Sequence, residues 1–141
     1  MTFKTVLLAG AASLLMTAGA SAKDFTIVSW GGAYQNSQNK AYVEPYAAEH
    51  PDINFIWDES SNEAVAKLRA MNEAGNVTWD LVDVVASDAI RLCDEGLAME
   101  IDADEVLAKA PDGSPASEDF GDLLVSDCFI PQIVYSTTFG Y

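Results

Sequence analysis

Trp30 and Tyr34 stand four positions apart, separated by Gly31-Gly32-Ala33 in the stretch Phe25–Tyr34, FTIVSWGGAY. An indole and a phenol at this spacing can form an apolar wall for a small molecule, and each carries one polar atom to orient it. The structural alternative is that both rings cap a hydrophobic core. Three further polar residues stand where strand patterns run into helix patterns: Glu59, Ser87 and Asp88. Together they suit binding better than turnover. Catalysis by an exported enzyme would need a nucleophile–base pair or a metal set. The lone His50 lies in the turn His50-Pro51-Asp52 and reads as a solvated loop residue.

The elements that must position these residues alternate regularly. Phe25 to Ser29 reads as a short buried strand, rich in aromatic and β-branched types. Gly31-Gly32 turns the chain, since glycine reaches positive φ at little cost. Gln35 to Glu49 has a helical pattern, with Pro45 expected to kink or restart it. Ile53–Trp57 is the second strand. Ser60 and Glu63 have the spacing of a capping box for the helix that follows. In that helix Ala64, Leu68 and Met71 mark the buried face, and Gly75-Asn76 ends it.

Trp79–Val85 is the third strand, apolar except for Asp80 and Asp83, one or both of which need a partner or water. Ser87 or Asp88 is expected to cap the next helix, which runs to Glu95 and stops at Gly96. Three strand-then-helix units, over 25–49, 53–74 and 81–95, predict a mostly parallel sheet flanked by helices, an α/β fold. Ligands of open α/β sheets sit outside the carboxyl ends of the strands, the edge where Trp30, Glu59 and the Ser87-Asp88 pair fall. Beyond it come a short acidic helix over Ile101–Lys109, a loop over Ala110–Glu118, and a strand over Gln132–Phe139.

Charge and cysteines narrow the partners. The 141-residue chain has a formal net charge of −15. Nucleic acid and anionic membranes are disfavoured, because phosphate binding needs a basic face. Long-range attraction suits a cationic solute, and an acidic solvated surface that keeps an exported chain soluble is the alternative reading of the same charge. Residues 1–22 have the pattern of a signal peptide: Lys4, an apolar run from Val6 to Met16, then Ala20-Ser21-Ala22 as a small-x-small cleavage site. No cysteine stands near that site to carry a lipid, and the run is short for a membrane span.

An exported, periplasmic chain makes a Cys93–Cys128 disulfide the expectation, with two buried thiols as the alternative. Closing a loop of about 35 residues would stabilise by on the order of 4 kcal/mol in the chain-entropy model. The two cysteines do not form a CxxC pair, and with a distant His50 they make a poor metal set.

In order and spacing, FTIVSWGGAY, ESSNEAVAKL, TWDLVDVVASDAIRLCDEGL with Ile101-Asp102, and IVYSTTFGY resemble the N-terminal part of extracellular solute-binding proteins of ABC transporters, nearest the spermidine/putrescine-binding type. The resemblance covers Asp24 to Tyr141. It implies a periplasmic-binding-protein type lobe over residues 23–131, the first of two, with a hinge strand starting over 132–141 and the chain ending before a second lobe. It further implies a monomer that captures a polyamine-like solute in an interlobe cleft and delivers it to a membrane permease, with no cofactor and no catalysis.

By position, Trp30 and Tyr34 match the aromatics that pack on the ligand's aliphatic chain. Glu59 and Asp80 lie in matching motifs, Asp80 looking the more structural. Ser87-Asp88 matches a ligand-contacting loop. That loop departs from the polyamine pattern, reading VVASDA in place of Ser/Thr and Tyr. An amino-acid derivative, an organic anion or ferric iron on the same scaffold is the alternative, as is a truncated, non-binding fragment. Helix starts after Gly32 and Ala86 also suit an anion.

Overall fold

The computed structural model describes residues 22–140. The expected signal peptide therefore lies, Ala22 apart, outside the described residues. Among the described residues no helix is long and apolar enough to cross a membrane.

A three-stranded sheet positions everything else. β1 (Lys23–Val28) lies between β2 (Ile53–Asp58) and β3 (Leu81–Val82), and both pairings are parallel. The register sets Phe25 beside Phe55 and Ile27 beside both Trp57 and Leu81. Alternation along β1 sends successive side chains to opposite faces. On one face the rings of Phe25 and Phe55 pack 5.7 Å apart, and Tyr46 meets Phe55 edge-on at 6.0 Å. On the other, Val28 is fully buried in a core with Ala64, Val65, Leu68, Trp79, Val84, Ala89 and Leu92. Those residues come largely from α3 (Ala64–Glu73) and α4 (Ala86–Asp94), so helices cover both faces of a parallel sheet. The predicted α/β architecture is observed.

The helix expected over 35–49 is divided in three. α1 (Gly32–Gln38) passes into a π-helical turn (Asn39–Val43), then α2 (Glu44–Glu49). Pro45 stands in the first turn of α2, where its missing N–H and its ring are tolerated. The wider π turn absorbs the break just before it.

Several expectations are corrected. The capping box does not form: a 3₁₀ turn (Ser61–Glu63) precedes α3, and Ser60 accepts from Lys67 Nζ while its own N–H donates to Asp58 Oδ1 at 2.8 Å. Neither Ser87 nor Asp88 caps α4. Val85 holds that position, and its carbonyl receives the Asp88 and Ala89 N–H groups. β3 is shorter than expected, although the Asp80 and Asp83 N–H groups extend its bonding to the Thr26 and Val28 carbonyls. Asp80 Oδ2 accepts the Thr26 N–H at 2.8 Å, so its partner is the β1 backbone.

The C-terminal part is looser. α5 (Ala103–Val106) is shorter than the helix expected over Ile101–Lys109, and Asp102 caps it by accepting the Asp104 N–H at 2.9 Å. α6 (Ala116–Phe120) begins inside the expected loop and continues into a 3₁₀ turn (Gly121–Leu123). Gln132–Phe139 is not a strand: the segment is irregular and exposed, with Val134 77% and Phe139 98% accessible. Its alternating sequence suits a sheet, but no neighbouring strand pairs with it among the described residues, and a ladder needs a partner. The Cys93–Cys128 disulfide is present and ties this part to α4, with the Cα atoms 5.6 Å apart.

Candidate functional site

β1 ends at Val28, and Ser29, Trp30 and Gly31 carry the chain to α1. Gly31 adopts φ 75°, a conformation L side chains rarely take. A Cβ there would also lie 2.8 Å from the Glu59 carboxyl carbon. This turn therefore has two demands that glycine meets: a left-handed backbone and the close approach of Glu59 from the end of β2. The next turn of chain sets Tyr34 against Trp30, with ring centroids 5.6 Å apart at 60°. The Trp30 indole N–H donates to Asn62 Oδ1 at 3.2 Å.

Behind the aromatic pair lies a polar network. The Tyr34 hydroxyl donates to Asp83 Oδ2 at 2.8 Å, and Gln38 Nε2 donates to the same oxygen at 2.6 Å. Gln38 is buried, and its Oε1 accepts the Ser29 hydroxyl at 2.6 Å. Its Nε2 also reaches Gln132 Oε1 at 3.1 Å, which joins the network to the segment after the disulfide. The Asp83 main chain is held at both ends, its N–H by Val28 and its carbonyl by the Ser61 hydroxyl.

Burial pushes the Asp83 carboxyl above its ordinary value, against the opposing pull of the hydrogen bonds from Tyr34 and Gln38. Burial likewise raises the Tyr34 phenol, reinforced by its hydrogen bond to Asp83 and by that residue's charge. The phenol is therefore a neutral donor at any physiological pH.

The predicted residues do not all converge. Trp30 and Tyr34 touch, and Glu59 reaches the turn between them. Ser87 and Asp88 stand past the end of β3, on the same edge of the sheet. There Ser87 is exposed, and Asp88 pairs with Arg91 of its own helix at 3.7 Å. No hydrogen bond joins either to the aromatic pair among the described residues. Glu59 instead borders a shallow depression of about 270 Å³ with Gly32, Gln35, Asn36, Asn39 and Trp57. The Gln35 Oε1 atom is buried there without a partner.

Gln38, Asn62 and Asp83 are members of the site that sequence reasoning did not select. Asp83 had a signal, being an acid inside an apolar run. Gln38 had a weaker one, standing one helical turn after Tyr34 on the same side of α1.

The arrangement offers two aromatic walls, a carboxylate and several carboxamides. Among the described residues no group of three or more His, Cys, Asp or Glu side chains is placed to hold a metal ion.

Comparison with known proteins agrees with the α/β fold just described. The family model for bacterial extracellular solute-binding proteins matches residues 41–141. A γ-aminobutyric acid-binding protein from Pseudomonas aeruginosa is 32% identical over 124 residues, covering 88% of this chain and 32% of the relative. The chain thus spans about a third of the length of that protein. Among solved structures, the periplasmic binding protein MotA from A. tumefaciens B6, in complex with glucopine, superposes with a TM-score of 0.57 at 31% identity. That match covers 74% of this chain and 28% of MotA.

Proposed function

This chain belongs to the bacterial extracellular solute-binding protein family, and from that premise we propose that it forms the first lobe of a periplasmic binding component of an ABC importer. The observation that carries the proposal is the Trp30–Tyr34 pair at the carboxyl end of the central strand, its phenol fixed by Asp83. Sheet topology puts ligands at that edge, and the site holds walls and hydrogen-bonding groups rather than a nucleophile and base. In this reading residues 23–131 form the lobe, and the chain leaves it through a hinge segment starting at 132. Solute is held between this lobe and a second one, and the closed form delivers it to a membrane permease.

For the solute, we favour a small amino-acid derivative over a polyamine. The relatives' names point to γ-aminobutyric acid and glucopine, and the loop VVASDA departs from the polyamine-binder pattern. A polyamine remains the second reading, supported by the net charge of −15.

A thermal-stability panel on the intact protein tests this. γ-Aminobutyrate, putrescine, spermidine, citrate and ferric citrate would be added separately, since a ligand of the folded state raises the melting temperature with concentration. A dose-dependent rise with at least one organic solute is expected. No rise with any of them would overturn the binding function, and turnover in a hydrolase panel would put an enzyme in its place.

A further inference from the structure

We propose that Asp83 is the solute's ammonium acceptor, through the oxygen that Tyr34 and Gln38 leave free. This rests on the solute-binding function proposed above and names the chemical group its ligand carries at this lobe.

An ionised carboxylate has about four lone-pair sites on two oxygens. At Asp83 both protein donors go to one oxygen: Tyr34 at 2.8 Å and Gln38 at 2.6 Å converge on Oδ2. Oδ1 accepts no hydrogen bond from the described residues, and it is not among their enclosed, unpartnered polar atoms. It is therefore an acceptor without a donor that is not sealed from solvent.

The two carboxylate oxygens are equivalent, so whichever one Tyr34 and Gln38 hold, the other is left for a further donor. The groups that hold the carboxylate are themselves fixed: Gln38 is 6% exposed and clamped by Ser29, and the Asp83 backbone is bonded on both sides. The edge of the Trp30–Tyr34 pair adjoins this carboxylate through the phenol.

Charge gives the second line of support. Asp83 is half-buried, and burial of a carboxylate is costly unless a cation or several donors offset it. The ion pairs among the described residues join Arg69 to Glu95 and Arg91 to Asp88, and neither reaches Asp83. The donors it does have, a phenol and a carboxamide, are neutral. An incoming ammonium supplies the missing positive charge and a charge-assisted hydrogen bond to Oδ1, a stronger contact than a neutral hydroxyl would make. Matched solutes differing only in ammonium or hydroxyl should therefore be told apart here.

The test is calorimetric titration of the intact protein with two such pairs: γ-aminobutyrate against 4-hydroxybutyrate, and putrescine against 1,4-butanediol. The wild type is expected to bind the ammonium member of at least one pair more tightly. Asp83→Asn, which keeps the size and an acceptor for Tyr34, is expected to weaken that member roughly ten- to hundredfold and to abolish the preference. If Asp83→Asn does not fold, Asp83→Glu replaces it. Keeping the charge but moving it, that variant should lower affinity for the ammonium member alone, and equal losses for both members would overturn the assignment.

An Asp83→Asn protein that binds within twofold of wild type with its preference intact would also overturn it. So would a wild type that binds the hydroxyl member as tightly. Binding of citrate with neither ammonium solute bound would sink this inference and leave the solute-binding function standing. No binding by any solute would sink both.

Discussion

Two regions of this molecule are held together by different means. Around β1, from Lys23 to Asp94, order comes from burial and ladder bonding: a fully buried Val28 at the centre, helices on both faces, parallel strands on both sides. From Ile101 onward the helices are short and the last residues are irregular and exposed. That region is fastened at a few points. These are the Cys93–Cys128 bond, packing of Phe129 on the core, and Gln132 against Gln38. The contrast teaches where the site's rigidity originates. Tyr34, Gln38 and Asp83 are positioned by the first region, and the second meets them through one carboxamide.

The largest test of that contrast is the disulfide. Replacing both cysteines by serine is expected to lower unfolding free energy by on the order of 4 kcal/mol. Hydrogen exchange should show the loss concentrated after residue 100 rather than around β1. Uniform deprotection would mean that the two regions form one cooperative unit. Next comes Leu68→Ala in the β1 core, where Leu68 is 6% exposed. It should cost about 3 kcal/mol in urea unfolding through lost burial and the cavity left behind. A cost below about 1 kcal/mol would show that this core is not the main source of stability.

A smaller effect follows from Asp83. Its carboxyl lies above the ordinary 3.8 in the folded state. A raised folded value favours the protonated form, so the stability it contributes is present below 3.8 and is lost as pH rises through the folded value. Asp83→Asn lacks this dependence. Melting temperatures across that range should therefore move in the variant's favour as pH rises, and parallel curves would contradict the desolvation argument. The smallest effect is expected for Phe139→Ser. At 98% exposed, this side chain should alter stability by no more than about 0.5 kcal/mol. A larger change would show that the C-terminal segment packs on something.

Much of the β1 region was legible in the sequence because its signals are local. FTIVS is β-branched and aromatic, Gly31-Gly32 marks the turn, and the Ala64–Leu68–Met71 spacing marks the buried face of α3. The contacts that complete the site are not local. Gln38 meets Asp83 across 45 residues and Gln132 across 94, and nothing in the sequence around a helical glutamine announces such partners.

The capping box illustrates the opposite failure. Ser60 and Glu63 have the right types and spacing, yet the chain spends Ser61–Glu63 on a 3₁₀ turn because Asp58 captures the Ser60 N–H first. At Gln132–Phe139 the alternation of a strand is present without a strand to pair with. Propensity can propose a ladder, but only a neighbour completes it.

The central claim is that the Trp30–Tyr34 face takes up solute, and equilibrium titration of the intact protein tests it most directly. γ-Aminobutyrate and putrescine would be titrated into wild type and a Trp30→Ala/Tyr34→Ala double variant, with melting curves run alongside. The account predicts saturable binding of at least one solute by wild type. It also predicts a loss of about tenfold or more in the variant, as expected for removing desolvated aromatic contacts, with the fold retained. Undiminished binding by a folded double variant would contradict it and move the site elsewhere on the sheet edge.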